Sequence, residues 1–296
     1  MKLYRLIIFL IIAFSFLMIA ACGDGGVGSI KYGEVLVHIT DAKPLLPEGV
    51  ENVTKLLISI TGVSVHKSGG GWISLPLKEG PPHNIDLLQF INGKKTEIVP
   101  PVLLEYGKYT QIRLEIENAT IRFDSDAESD VVIPSDHFKI DKNFLFDVSE
   151  PGLIDIIIDF DLSQSLEVTN PFGTPSYILN PVLHIVKALE AVTINGKITQ
   201  ESFVAGQNAE VTVFIPNSGI QGGFKEYTKM EVSESDTDPT EFSIYWLVPN
   251  KDYVVEIRFD PDFVNGVEFS ENVSANYIDP GEVWNLNGGS PIKIGD

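Results

Sequence analysis

Between Gln111 and Glu117 the side chains change character at every residue. Ile112, Leu114 and Ile116 are apolar, whereas Gln111, Arg113, Glu115 and Glu117 are polar or charged. A period of two sends these sets to opposite faces of an extended chain, so the pattern predicts a half-buried strand from Tyr109 to Glu117. Leu153 to Phe160 repeats it, with Ile154, Ile156, Ile158 and Phe160 expected inward and Asp155 and Asp159 outward. Val35, Val37 and Ile39 alternate in the same way. Leu56 to His66, Trp72 to Leu75 and Tyr177 to Val186 are further strand expectations. Pro181 falls inside the last of these and lacks a ladder donor, which predicts an edge strand or a bulge. Ile85 to Leu88 is too short for periodicity to separate a strand from a helical turn.

Composition agrees with the alternation. Val, Ile, Phe, Tyr and Thr are abundant and there are only three Met, a balance that favours strands. After the N-terminal segment no helical stripe of three turns is evident. The expected fold class is all-β, two β-sandwich domains in tandem. The chain carries 41 Asp and Glu against 21 Lys and Arg, a formal charge of −20. That balance argues against nucleic acid, whose phosphates require a basic face. It also argues against adsorption onto anionic lipid through protein charge.

The first 21 residues have the layout of a secretory signal. Lys2 and Arg5 precede an apolar run, and Ala20 and Ala21 precede the only cysteine, Cys22. Ile19-Ala20-Ala21-Cys22 resembles the bacterial lipobox, in which the cysteine thiol takes a diacylglyceryl group and the preceding peptide is cut. An uncleaved transmembrane anchor is the alternative reading. Loss of Lys2 and Arg5 takes the charge from −20 to −22. A lipidated Cys22 leaves no thiol, which excludes disulfides, thiolate metal sites and a cysteine nucleophile. The expected address is the extracytoplasmic face of a bacterial envelope, the outer membrane in a Gram-negative cell. Residues 22–32 read as a glycine-rich tether. Gly26-Val27-Gly28 within it has no strand before it and no helix after it, so a phosphate-loop reading fails its context.

From residue 33 to about 187 the chain resembles the family described as domain of unknown function 4382. The resemblance rests on Val37-His38-Ile39-Thr40-Asp41-Ala42, on Val65-His66-Lys67 followed by Gly71-Trp72, and on Ile85-Asp86-Leu87-Leu88 followed by Asn92-Gly93. It continues through Gly107-Lys108-Tyr109-Thr110-Gln111-Ile112-Arg113-Leu114, Ile133-Pro134-Ser135, Asp159-Phe160-Asp161 and Tyr177-Ile178-Leu179-Asn180-Pro181-Val182. Asp136-His137-Phe138 departs from the family's usual glycine and leucine. The family implies an exported, mostly β lipoprotein with no established activity. From Leu189 onward, Val192-Thr193-Ile194-Asn195-Gly196-Lys197-Ile198 and Phe242 to Pro249 followed by Tyr253-Val254-Val255 resemble carboxypeptidase-regulatory or transthyretin-like sandwiches. Asn250 stands where that family has glycine. The expected divisions are therefore 33–188 and 189–296.

Candidate sites are few. Asp124, Asp126, Glu128 and Asp130 place carboxylates at every second position, and Asp159 and Asp161 share a strand face with Asp155. Hard oxygens so spaced suit calcium, although the EF-hand glycine and final glutamate are missing. A solvated acidic loop, and a turn capped at Ser163, are the alternatives. Glu231, Glu234, Asp236 and Asp238 form a similar acidic run. Asp159 and Asp161 would serve a glycoside hydrolase only across a cleft, and one strand is a poor platform for opposed carboxylates. His38, His66, His83, His137 and His184 show no ligand spacing, and no serine sits in Gly-x-Ser-x-Gly. Trp72, Trp246 and Trp284 are candidates for sugar stacking or for core. No catalytic residue is assigned. The expected role is a non-catalytic binding, adhesion or scaffolding module held in the bilayer by acylated Cys22, with an envelope protein or glycan as partner. An envelope hydrolase and a calcium-stabilised surface protein are the alternatives.

Overall fold

The computed structural model describes residues 31–42, 52–134, 139–149, 151–170, 173–203, 208–217, 223–249, 251–259, 269–273 and 280–293. The signal segment, Cys22, most of the tether, His137 and Asn250 lie outside the described residues. The longest pairing is antiparallel, between β2 (Val53–Lys67) and β6 (Gly107–Phe123). Ile112, Leu114 and Ile116 on β6 are almost fully removed from water, as their alternation requires.

Two sheets enclose the first core. The eight-stranded sheet runs β10 (Leu166–Thr169), β11 (Ser176–Leu179), β7 (Glu128–Val132), β6, β2, β3 (Trp72–Leu75), with β4 (His83–Asp86) paired to β2 and β8 (Lys139–Val148) paired to β6. The four-stranded sheet runs β12 (Leu183–Lys187), β9 (Leu153–Asp161), β1 (Tyr32–Ala42), β5 (Thr96–Glu105). β1 and β9 are parallel neighbours. Their inward rows, Val35, Val37 and Ile39 with Ile156, Ile158 and Phe160, meet the facing sheet in one hydrophobic cluster. The fold is all-β. Among the described residues the α-helical element is the four-residue α1 (Leu162–Ser165).

A second, smaller core lies between two further sheets. One runs β16 (Thr240–Leu247), β13 (Val192–Ile198), β19 (Val283–Asn285), and the other β15 (Gly223–Val232), β14 (Ala209–Asn217), β17 (Tyr253–Arg258), β18 (Phe269–Val273). Ile194, Ile198, Val211, Val213, Val255 and Ile257 fill the space between them.

Proline and glycine placements explain the local departures. Pro100 and Pro101 lie in β5, an edge strand where a missing ladder donor is tolerated. The strand expected across Tyr177–Val186 is two strands. β11 belongs to the eight-stranded sheet and β12 to the four-stranded one, and the chain crosses between them at Asn180-Pro181-Val182. Proline ends one ladder there and does not sit within it. Ile85–Leu88 divides into the end of β4 and a 3-10 turn at Leu87–Phe90, so both short-run readings hold in part.

Gly196 pairs across β13 and β16 with Phe242, whose ring lies over the glycine. A Cβ at Gly196 would sit 2.1 Å from Phe242 Cζ. Gly196→Ala should therefore displace a buried ring and cost about 1–3 kcal/mol, read as a lower urea midpoint. Phe242→Leu in the same chain should recover part of the loss. An unchanged midpoint in Gly196→Ala would remove this contact from the account.

Candidate functional site

The functional candidate is the junction between the two sandwiches, built on the outward face of the four-stranded sheet. The register brings Thr40, Asp159 and His184 into one row across β1, β9 and β12, and His38, Ile157 and Val186 into the next. Ile157 and Val186 are buried yet lie outside the first hydrophobic cluster. A sheet with buried apolar residues on both faces is covered on both faces, and here the second cover is the smaller sandwich.

A bulge on that sandwich makes the contact. In the β14–β15 ladder Val213 pairs with Thr228 and Phe214 with Glu226, so Tyr227 is an extra residue. β15 is an edge strand, and side chains of the larger sandwich meet its Tyr227 carbonyl. Gln164 Nε2 donates to that carbonyl, and His184 Nε2 lies 3.1 Å from it. The His184 imidazole also stacks on the Tyr227 ring, with centroids 4.0 Å apart. Tyr253 meets Tyr227 edge-on and donates its hydroxyl to the Val248 carbonyl at 2.7 Å.

Asp161 is fully buried at the centre of this contact. Its carboxylate accepts from Ser163 Oγ and Gln164 Nε2, and His184 Nε2 stands 3.5 Å away. Burial alone would raise its pKa, but hydrogen bonds from His184, Ser163 and Gln164 outweigh it and hold the group below the ordinary carboxylate range. Asp159, two residues earlier, has no such set. Burial pushes it up to about 7; the His184 side chain pulls it down and Asp161 pushes it further up. Asp155 is held by His38 Nδ1 at 2.6 Å and by Lys95 Nζ at 2.5 Å. The row expected in solvent is thus a polar seam under the second sandwich.

Two clefts flank the seam. The first, about 330 Å³, is lined by Asp41, Asn92 and Asp159 from the larger sandwich and by Ser243, Tyr245 and Trp246 from the smaller. Gly93 packs against the Tyr245 ring, where a Cβ would come within 2.9 Å. Lys95 Nζ lies 5.3 Å from the centre of the Trp246 ring. The second, about 630 Å³, opens beside His184, Gln164 and Tyr227.

The other candidates lie elsewhere. Asp124 and Asp126 occupy the exposed β6–β7 turn, and Glu128 and Asp130 extend along β7. Glu128 is paired with Arg122. Among the described residues no three His, Cys, Asp or Glu side chains gather closely enough to hold a metal ion. Asp238 accepts from the Gln200 backbone N–H at 3.0 Å, and Glu231 lies at the first cleft. Trp72 is covered by the Arg113 guanidinium at 4.0 Å, which is itself paired with Asp141. Trp284 donates to Glu271 at 2.8 Å. Trp246 lines the first cleft. Sequence reasoning missed His184 and Tyr227 as partners. The available signal was Ile157, an isoleucine in the row assigned to solvent.

The family model for Domain of unknown function (DUF4382) matches residues 32–181. The chain belongs to the DUF4382 family. The match ends at Pro181, the crossing point between sheets, so β12 and His184 lie just beyond it. No curated protein matches the chain. Among solved structures, the Bacillus anthracis TIE protein is 13% identical with a TM-score of 0.22 over 89% of this chain, which spans 34% of that one. A candidate adhesin from Bacteroides ovatus is 9% identical, TM-score 0.24, over 88% of this chain and 90% of its own. The fimbrial anchor protein Mfa2 from Porphyromonas gingivalis is 10% identical, TM-score 0.19, over 81% and 83%. At these scores the likeness stops short of a common topology.

The junction carboxylates set a pH dependence. Asp159 titrates near 3.8 when unfolded and near 7 when folded, so the folded state holds an extra proton between those values. Stability from this group is full below about pH 4 and is lost as pH rises through 7. The gap corresponds to at most about 4 kcal/mol. Asp161 has the opposite sign: its contribution is present at neutral pH and is lost as pH falls through its lowered pKa. The urea midpoint of this DUF4382 protein should fall from pH 5 to pH 8, and Asp159→Asn should flatten that slope. Asp161→Asn should lower the midpoint across the range, by about 1–3 kcal/mol. An Asp159→Asn slope equal to the parent's would exclude Asp159 as its source.

Proposed function

We propose that this DUF4382 protein is a non-catalytic binding module of the bacterial envelope, anchored through an acylated Cys22, that engages a glycan or glycan-bearing partner in the first cleft. The observation that carries the reading is the composition of that cleft. Tyr245 and Trp246 offer aromatic surface, and Asn92, Ser243 and Asp159 offer amide, hydroxyl and carboxyl groups around about 330 Å³. Aromatic surface beside several convergent polar groups suits a small, hydroxylated ligand. Both sandwiches contribute, so the site exists only where they meet.

The carboxylates support binding over turnover. Asp161 is sealed and fully engaged by its neighbours. It cannot face Asp159 across a substrate, as a glycosidase pair must. In this reading the limits of the two domains are 33–188 and 189–296, and the second is a carboxypeptidase-regulatory or transthyretin-like sandwich. Its strand β13, the β16 strand ending at Leu247 just before Val248-Pro249, and the returning β17 support that assignment.

The test uses the full chain purified in neutral detergent. Mass spectrometry of its N-terminal peptide should find Cys22 acylated. A glycan array should give binding that Tyr245→Ala reduces at least about tenfold, with no release of reducing ends on prolonged incubation. Turnover of a bound glycan, or an unmodified Cys22 thiol, would overturn the respective half of the proposal.

A further inference from the structure

The second cleft differs in charge from the rest of the molecule. Four lysines reach it from four segments: Lys142 on β8, Lys187 on β12, Lys225 on β15 and Lys251 ahead of β17. Two glutamates, Glu190 and Glu226, oppose them. Across the whole chain acidic residues outnumber basic ones by 41 to 21. Lys187 is paired with Glu190. Among the described residues Lys142, Lys225 and Lys251 have no carboxylate within ion-pair distance.

Unpaired like charges held together in an acidic protein need a reason. Lys225 and Lys251 are exposed and water screens them, so the cost falls on half-buried Lys142. Here β8 of the larger sandwich and β15 of the smaller hold Lys142 and Lys225 across the gap. Lys142 is half-buried there, and its pKa is lowered first by burial and then by the charge of Lys225. Glu226 shares the cleft without an ion-pair contact to these lysines, and burial raises its pKa. The cost of this arrangement is recovered if an anion sits between the ammonium groups.

We propose that this cleft binds a phosphate monoester. Convergent ammonium groups act as point charges and suit a dianion with several equivalent oxygens, whereas a carboxylate is better met by the planar fork of arginine. No arginine lines the cleft. The volume of about 630 Å³ exceeds what inorganic phosphate fills, and Leu145, Ile215 and Pro249 add apolar wall. The ligand is therefore a phosphate on a larger body, a soluble sugar phosphate or a lipid headgroup. This inference rests on the reading of the protein as a binding module, but it involves different residues from the glycan cleft. Bound phosphate favours charged Lys142, so binding should tighten as pH falls through the range where Lys142 titrates. Lys187, Lys225, Lys251, His184, Glu190, Glu226 and Tyr227 are the other titratable groups that line the cleft.

The experiment is calorimetric titration of the full chain in neutral detergent with inorganic phosphate and with a hexose phosphate. A parallel arm dopes the micelles with phosphatidic acid or phosphatidylcholine and follows the melting temperature. The hexose phosphate should bind more tightly than inorganic phosphate. Lys142→Gln and Lys225→Gln should each weaken binding about tenfold or more, and the double variant should abolish it. Lys108→Gln, on an exposed part of β6, should bind as the parent does. The double variant should melt no lower than the parent, because a repulsion has been removed, so lost binding cannot be ascribed to unfolding. A response to phosphatidic acid alone assigns the lipid source, and a response to the hexose phosphate alone assigns the soluble one. No phosphate-dependent heat or melting shift at millimolar concentrations, or full binding by the double variant, would overturn the proposal. Tyr245→Ala should leave phosphate binding intact, so failure here and failure of the glycan reading are separable.

Discussion

A buried carboxylate governs how the two sandwiches meet. Asp161 lies beyond the reach of water at the end of β9, and a charge there is tolerable only if donors surround it. Ser163 and Gln164 come from the short turn that follows it, and His184 comes from the neighbouring strand. Gln164 and His184 do not stop at Asp161. Both also address the carbonyl of Tyr227, the extra residue of the bulge in an edge strand. Each side of the contact thus holds a polar group that would be costly alone. The same two side chains satisfy both, which gives the junction a direction and a register that apolar packing would not supply.

The clefts follow from that choice. An extensive apolar interface would close the seam along its length. Polar contacts centred on Asp161, with Gly93 against Tyr245 and Lys95 over Trp246, join the sandwiches and leave space on either side of the carboxylate. One side inherits Asp159 and the Tyr245–Trp246 pair; the other inherits the lysines of β8, β12 and β15. Their opposite character is set by which strand edges face each gap. It is visible only in three dimensions, because Lys142 and Lys225 are 83 positions apart in the chain, as read from their numbers.

Much of the fold was legible because alternation is a local signal. The rows on β1, β6 and β9 face inward as their period requires, and a proline marks the place where β11 and β12 part. Strands with little apolar content were not legible. β7 reads as an acidic loop because Glu128 and Asp130 face solvent, and β8 reads as nothing regular because Asp141, Asn143 and Leu145 are exposed along it. The site was harder still. Charged residues on β9 predict a wet face when the strand is taken alone. The cue was the unbroken run Ile156-Ile157-Ile158, since a strand with water on one side has no use for a buried Ile157. His184 carried no spacing cue: beyond Asp161, its partners are a backbone carbonyl and an aromatic ring, and neither of these leaves a pattern in the sequence.

β12 binds these levels together. It completes the edge of the four-stranded sheet, with Leu183 and Ile185 pointing into the first core. Its other face supplies His184 and Val186 to the junction. It begins two residues after the point where the family match ends. A strand that serves both bodies couples them, because detaching it exposes apolar surface on one side and strips a donor from Asp161 and Tyr227 on the other. The second sandwich is therefore more than an appendage on a flexible link. It covers a face of the first that carries buried isoleucine and a buried carboxylate, and that face would have no other reason to be built as it is.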